Sequence, residues 1–268
     1  MKKTHILAVG VFAALITAPI AADAHRAWLA PSATVLSGDD PWISVDGAIS
    51  NTLFHADHNP MRLDNLVITA PDGSAVTPQN LTTGHYRSTF DVQLAQPGTY
   101  RIANVTQGVN ARFLVNGDQR GWRGSVAELA TAIPADATDV RVTQNSNRVE
   151  TFVTRGAPTA IQLTNVGLEL APVTHPNDLV VGEAASFRLL LDGAPVANIE
   201  VTLAPGGARY RNSPDELTVT TDSSGAFSIT WPTAGLWWLN ASVRELPATI
   251  AAAQQRNANY SAVVEVLP

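Results

Sequence analysis

Phe90-Asp91-Val92-Gln93-Leu94, then Gln96-Pro97-Gly98, then Thr99-Tyr100-Arg101-Ile102-Ala103-Asn104-Val105: this run decides the fold. Both flanking stretches alternate apolar and polar residues with the period of two of a half-buried strand, and the Pro-Gly between them is turn chemistry. The same pattern continues outward. Val67 to Ala70 is a short apolar strand closed by Pro71-Asp72-Gly73, and Phe113-Leu114-Val115 ends at Asn116-Gly117. Further on, Ser186 to Leu191 meets Asp192-Gly193, Ile199 to Leu203 follows, and Leu217 to Thr221 runs into Asp222-Ser223-Ser224-Gly225. Ala226 to Thr230 returns, and Thr233 to Ala241 closes the series. Pro71 to Val76 resembles Leu191 to Val196, and Pro97 to Ile102 resembles Ala234 to Leu239, so the two halves share a plan. Short strands separated by turns at this spacing predict an all-β chain of two immunoglobulin-like antiparallel β-sandwich domains in tandem.

The middle is less regular. Ser125 and Glu128 stand in capping-box spacing and predict one helix over 125–133. Thr151 to Arg155 reads as a strand broken by Gly156-Ala157-Pro158. Leu168-Glu169-Leu170-Ala171-Pro172 opens the second sandwich, so the domains are expected at 25–165 and 166–268. A loop with a short helix is expected after Ala248, before a final strand from Ala262 to Val266. Trp28, Trp42, Trp231, Trp237 and Trp238 lie in strand-like segments and are expected to fill cores.

The first 24 residues read differently. Lys2 and Lys3 precede an apolar run from Ile6 to about Ile20, and Ala22-Asp23-Ala24 is a small-x-small cleavage site. This is a secretory signal peptide over 1–24, which predicts export to the periplasm. Beyond it no apolar stretch is long enough to span a bilayer. The remainder carries 15 arginines against 22 acidic residues, a formal charge of −7, which gives no basic patch for a nucleic acid. Absence of cysteine excludes thiolate metal sites, disulfides and cysteine nucleophiles. No Gly-x-Ser-x-Gly setting supports a hydrolase triad.

Cleavage after Ala24 makes His25 the first residue. An N-terminal histidine offers a metal both its ring and its α-amine, whose unperturbed pKa of roughly 7.7–8.0 lets a metal displace the proton near neutral pH. His55-Ala56-Asp57-His58 is the densest remaining cluster, with Asp57 as an oxygen ligand or an acceptor behind the ligands. On a straight strand His55 and His58 would face opposite sides; Asn59-Pro60 places them on a loop instead. His85, beside Tyr86, is a further candidate or an exposed turn residue. His175, in Thr174-His175-Pro176-Asn177-Asp178, is expected to cement the domain interface.

His25-Arg26-Ala27-Trp28-Leu29-Ala30-Pro31 resembles the H-x-x-W-L-x-P opening of a bacterial domain-of-unknown-function family. Leu168 to Pro172, Thr174 to Leu179, Gly182-Glu183, Phe187 to Gly193 and Thr221 to Gly225 match its second-domain pattern. Members of that family are described as periplasmic components of cobalt or nickel uptake systems. The resemblance therefore implies nickel or cobalt and a membrane transport partner.

The residues point to a periplasmic transition-metal-binding protein, with His25 as bidentate ligand and His55, His58 or His85 completing the site. An all-nitrogen site of this kind suits copper(II) or nickel(II) on geometry, and copper on affinity order. Two alternatives stay open: a copper-dependent oxidative enzyme using the same histidine, and a metal-free structural or interaction module.

Overall fold

The computed structural model describes residues 25–268. The signal-peptide reading of residues 1–24 lies outside them. The first half contains β1 (Arg26–Pro31), β2 (Val35–Leu36), β3 (Trp42–Ser50), β4 (Asn59–Pro60), β5 (Leu66–Thr69), β6 (Ala75–Val76), β7 (Gln79–Thr83) and β8 (Ser88–Gln93). It continues through β9 (Gly98–Val115), β10 (Asp118–Gly124), the helix α1 (Val126–Ala132) and β11 (Thr138–Arg155). The second half contains β12 (Leu168–Pro172), β13 (Ala184–Leu191), β14 (Ala194–Pro195), β15 (Glu200–Pro205), β16 (Leu217–Thr220), β17 (Ala226–Thr230), β18 (Gly235–Pro247) and β19 (Gln255–Val266). The chain is an all-β sandwich protein. No helix among the described residues is long and apolar enough to cross a membrane.

One sheet runs β1-β3-β8-β7, with β4 also on β3. It faces β5, β9 and β11 across a core in which Leu29, Ile43, Val45, Phe90 and Val92 meet Ile68, Tyr100, Ile102 and Val153. These are the inward members of the alternating runs, so the period of two in the sequence is the two faces of the sheet. In the second half, β12, β13 and β17 face β15, β18 and β19, and Phe187, Leu189 and Phe227 share a core with Leu203, Trp237, Leu239 and Val264.

The two sandwiches share a sheet. The order β16-β15-β18-β19-β11-β9-β5-β6 passes through both halves, and β11 joins β19 in parallel from Thr143↔Gln255 to Thr151↔Val263. Pairing inside each sandwich is antiparallel apart from the two-residue β2–β11 pair and a Val180–Leu267 bridge, whereas this seam is a nine-residue parallel run. Around it Trp28, Ala48 and Leu53 pack with Ala204, Trp238 and Val263, and Trp238 Nε1 donates to the Ala27 carbonyl at 3.0 Å.

A second, charged part of the seam is buried. Arg101 donates to Glu150 and to Glu169, each at 2.8 Å, and Arg148 lies 3.6 Å from Glu150 and 3.4 Å from Glu169. The Tyr260 hydroxyl donates to Glu150 at 2.7 Å. Burial opposes the charge on Arg101, but Glu150 and Glu169 outweigh it and its pKa rises. Burial, reinforced by Glu150, holds the Tyr260 hydroxyl protonated well beyond its ordinary range.

Several local expectations change. The middle of the chain is a long ribbon, because β9 and β11 each run 18 residues and pair from Arg155↔Gly98 to Thr138↔Leu114. The helix forms over Val126–Ala132, with the reciprocal Ser125–Glu128 capping box in place. The segment after Ala248 forms no helix: it turns at Ile250–Ala253 and enters β19 at Gln255. Trp42 does not join a core and is 41% exposed, on the outward face of a strand whose residues begin by alternating exposed and buried.

Candidate metal centre

Strand pairing brings His25 to His58. β3 lies between β1 and β4 at its end, with Arg26 opposite Ser50 and Asn59 opposite Ile49. Each histidine is the residue just before its strand, so the two flank the end of β3, two strand spacings or about 10 Å apart in backbone. Their side chains close that gap. The rings stack with centroids 4.0 Å apart and planes 23° from parallel, and both residues are exposed.

The 51–58 loop is held from below by Ser50, which is fully buried. Its hydroxyl, with one proton to give, lies against two acceptors, the Asp57 carboxylate and the His55 carbonyl at 2.7 Å, and accepts from the Asp57 amide at 3.2 Å. The Ser50 bond keeps the Asp57 carboxyl below the usual carboxylate range, helped by the nearby His55 and His58. Asp57 therefore stays anionic between two imidazoles. Phe54 takes a left-handed backbone, φ 57°, which is costly for a bulky residue. Its ring is anchored edge-on to Trp28, centroids 5.8 Å apart, and lies over Gly206, where a Cβ would come within 3.1 Å of it.

The other candidates separate. His55 faces the second sandwich, where Arg209 Nη1 lies 3.1 Å from its Nδ1 and 2.9 Å from its Nε2. A guanidinium against both ring nitrogens competes with a cation at that imidazole. His85 sits on the β7–β8 turn with Tyr86 as its ring neighbour, centroids 4.5 Å apart. His175 joins the seam as expected: Nδ1 accepts from the Asn177 amide at 3.1 Å, so Nε2 carries the proton. Nε2 lies 3.0 Å from Thr99 Oγ1 and 3.1 Å from the Thr159 carbonyl. Burial lowers the His175 pKa despite Thr159 and Asp178.

Among the described residues no group of three or more His, Cys, Asp or Glu side chains is arranged to hold a metal ion. Of the candidate histidines, His25 and His58 are the two whose rings the structure brings together. Sequence reasoning missed the second-domain contributions. Arg26 pairs with Glu216, and its guanidinium carbon lies 5.2 Å from the Trp238 ring centroid. Arg209, Glu216 and Trp238 come from far along the chain, and nothing local to His25 signals them.

The sequence pattern of a family described as domain of unknown function (DUF4198) matches residues 22–245. The chain belongs to the DUF4198 family. The match covers the histidine pair, the first sandwich and the second as far as β18, and ends before β19. No curated protein sequence matches this DUF4198 chain. Among solved structures, the D0-D1 domain of intimin aligns at 14% identity over 90% of this chain and 97% of that one, with a TM-score of 0.22. Dimeric latent PorU from Porphyromonas gingivalis aligns at 12% identity over 89% of this chain and 20% of that one, with a TM-score of 0.19. Neither likeness bears on what the DUF4198 chain does.

Proposed function

We propose that the protein is an exported, periplasmic transition-metal-binding protein that supports metal uptake or handling, with mature His25 as bidentate ligand and His58 as its partner. The observation that carries this reading is the stacked His25–His58 pair. Stacked rings do not yet chelate; coordination needs each ring to turn a nitrogen toward a shared point about 2 Å away. Both residues are exposed, so side-chain torsions suffice and the sheet stays fixed. The donor set is then an amine and two imidazoles, which favours copper(II) first and accommodates nickel(II) or cobalt(II). Asp57, anionic next to His58, adds a negative charge beside the ion. The transport component that would receive the metal is part of this proposal.

Calorimetric titration of the mature protein with copper(II) and nickel(II) tests the ligand set. His58→Ala weakens binding by about 10-fold or more, as loss of an ordered ligand environment does. His55→Ala, His85→Ala and His175→Ala leave it within a few-fold. Equal affinity for wild type and His58→Ala would remove His58 from the site.

A further inference from the structure

We propose that the polar groove on β9, β11 and β19 binds a hydroxylated carboxylic acid of the sugar-acid class. The groove encloses about 510 Å³, within the range of roughly 300–1,000 Å³ usual for small-molecule sites. Its determining feature is a pair of like charges. Arg112 on β9 and Arg141 on β11 are direct cross-strand partners, so their exposed side chains leave the same face of the sheet. Like charges directly opposite one another destabilise a sheet. Among the described residues neither arginine has an ion-pair partner. This concentration of positive charge stands out on a chain whose net charge is negative. A carboxylate seated between two guanidinium groups would neutralise it through charge-assisted hydrogen bonds.

The rest of the lining selects hydroxyls. Val142, whose side chain is in the core on the other face, donates its amide to Gln254 Oε1 at 2.6 Å, which fixes Gln254 at the groove and leaves its amide nitrogen as an uncommitted donor. Asn110, two residues from Arg112 on the same face, has its Oδ1 occupied by Arg123 Nε at 3.0 Å, so its amide nitrogen is also available. Asp139 lines the groove from the irregular step in β11 between Thr138 and Arg141, and it is an acceptor without an ion-pair partner among the described residues. A second carboxylate on the ligand would be repelled there, whereas a hydroxyl would donate to it. One carboxylate with several hydroxyls matches all of these groups.

This site is independent of the histidine pair. β11 runs ten residues from Arg141 to Thr151, where it reaches Val263 of the seam core, a span of about 33 Å at strand rise. Ligand-observed NMR titration of the mature chain, at constant ionic strength, provides the test with three probes. D-glucuronate carries both features, acetate the carboxylate alone and glucose the hydroxyls alone. D-glucuronate should saturate and bind about 10-fold or more tightly than either acetate or glucose. Arg112→Gln and Arg141→Gln should each weaken it by about 10-fold, the loss of one charge-assisted hydrogen bond. Arg62→Gln, at an exposed ion pair elsewhere, should change nothing. Thermal unfolding should show both groove variants folded, since each relieves a repulsion. No saturable D-glucuronate binding, binding equal to that of acetate, or binding retained in folded Arg112→Gln and Arg141→Gln would overturn the proposal.

Discussion

The rings of His25 and His58 face each other at 4.0 Å although the residues are 33 positions apart, and the end of β3 is what joins them. The pairing of Arg26 with Ser50 and of Asn59 with Ile49 sets where each histidine leaves the sheet. A site built this way has rigid backbone and mobile rings. It also makes Ser50 the residue on which the placement of His58 depends.

Ser50→Ala should therefore act on both stability and metal affinity. The buried hydroxyl lies against the Asp57 amide and carboxylate and the His55 carbonyl, and its removal leaves these groups to water or unpaired. A cost of about 1–3 kcal/mol is expected by urea unfolding. Copper(II) affinity should fall with it. Unchanged affinity would show that the loop holds its shape without Ser50.

His175 should make stability depend on pH. Burial lowers its folded-state pKa below the unfolded value of about 6.5, so the unfolded chain takes up the proton first. The contribution is complete above about pH 6.5 and is lost as pH falls through the lowered folded value. Urea unfolding should find His175→Gln less stable than wild type at pH 7.5, with the gap narrowing toward pH 5. A constant gap would show that the proton is not excluded from the ring.

The buried cluster at the seam should tolerate little. Glu150 is fully buried and is shared by Arg101, Arg148 and Tyr260. Glu150→Ala leaves two guanidinium groups facing a single carboxylate, Glu169, and should cost about 3–5 kcal/mol in urea unfolding. A loss below about 1 kcal/mol would mean that water enters the seam in the variant.

Much of this was legible. The alternation in Phe90–Leu94 and Thr99–Val105 became β8 with Leu94 just beyond it and the start of β9, and the Ser125–Glu128 spacing became the cap of α1. His175 reached the interface, as its polar setting suggested. The far part of the β9–β11 ribbon was not legible, because Thr106-Gln107-Gly108 and Gln144 to Asn147 carry no apolar alternation. Those residues are strand because each finds a partner on the other, not from local preference. The parallel join of β11 to β19 links residues more than 100 positions apart, and no local pattern encodes it. At the site, Asn59-Pro60 identified a loop bearing two histidines. Which one meets His25 depended on the pairing of β4 with β3, and the engagement of His55 depended on Arg209 from the other sandwich.

The free amine of His25 is the centre of the functional proposal, and one comparison addresses it directly. Copper(II) is titrated calorimetrically into protein beginning at His25 and into protein that retains Ala24 before it. Retaining that residue converts the amine into an amide and leaves both rings in place. The extended protein should bind at least about 10-fold more weakly, with unchanged folding by circular dichroism. Equal affinity in the two proteins would contradict the proposal.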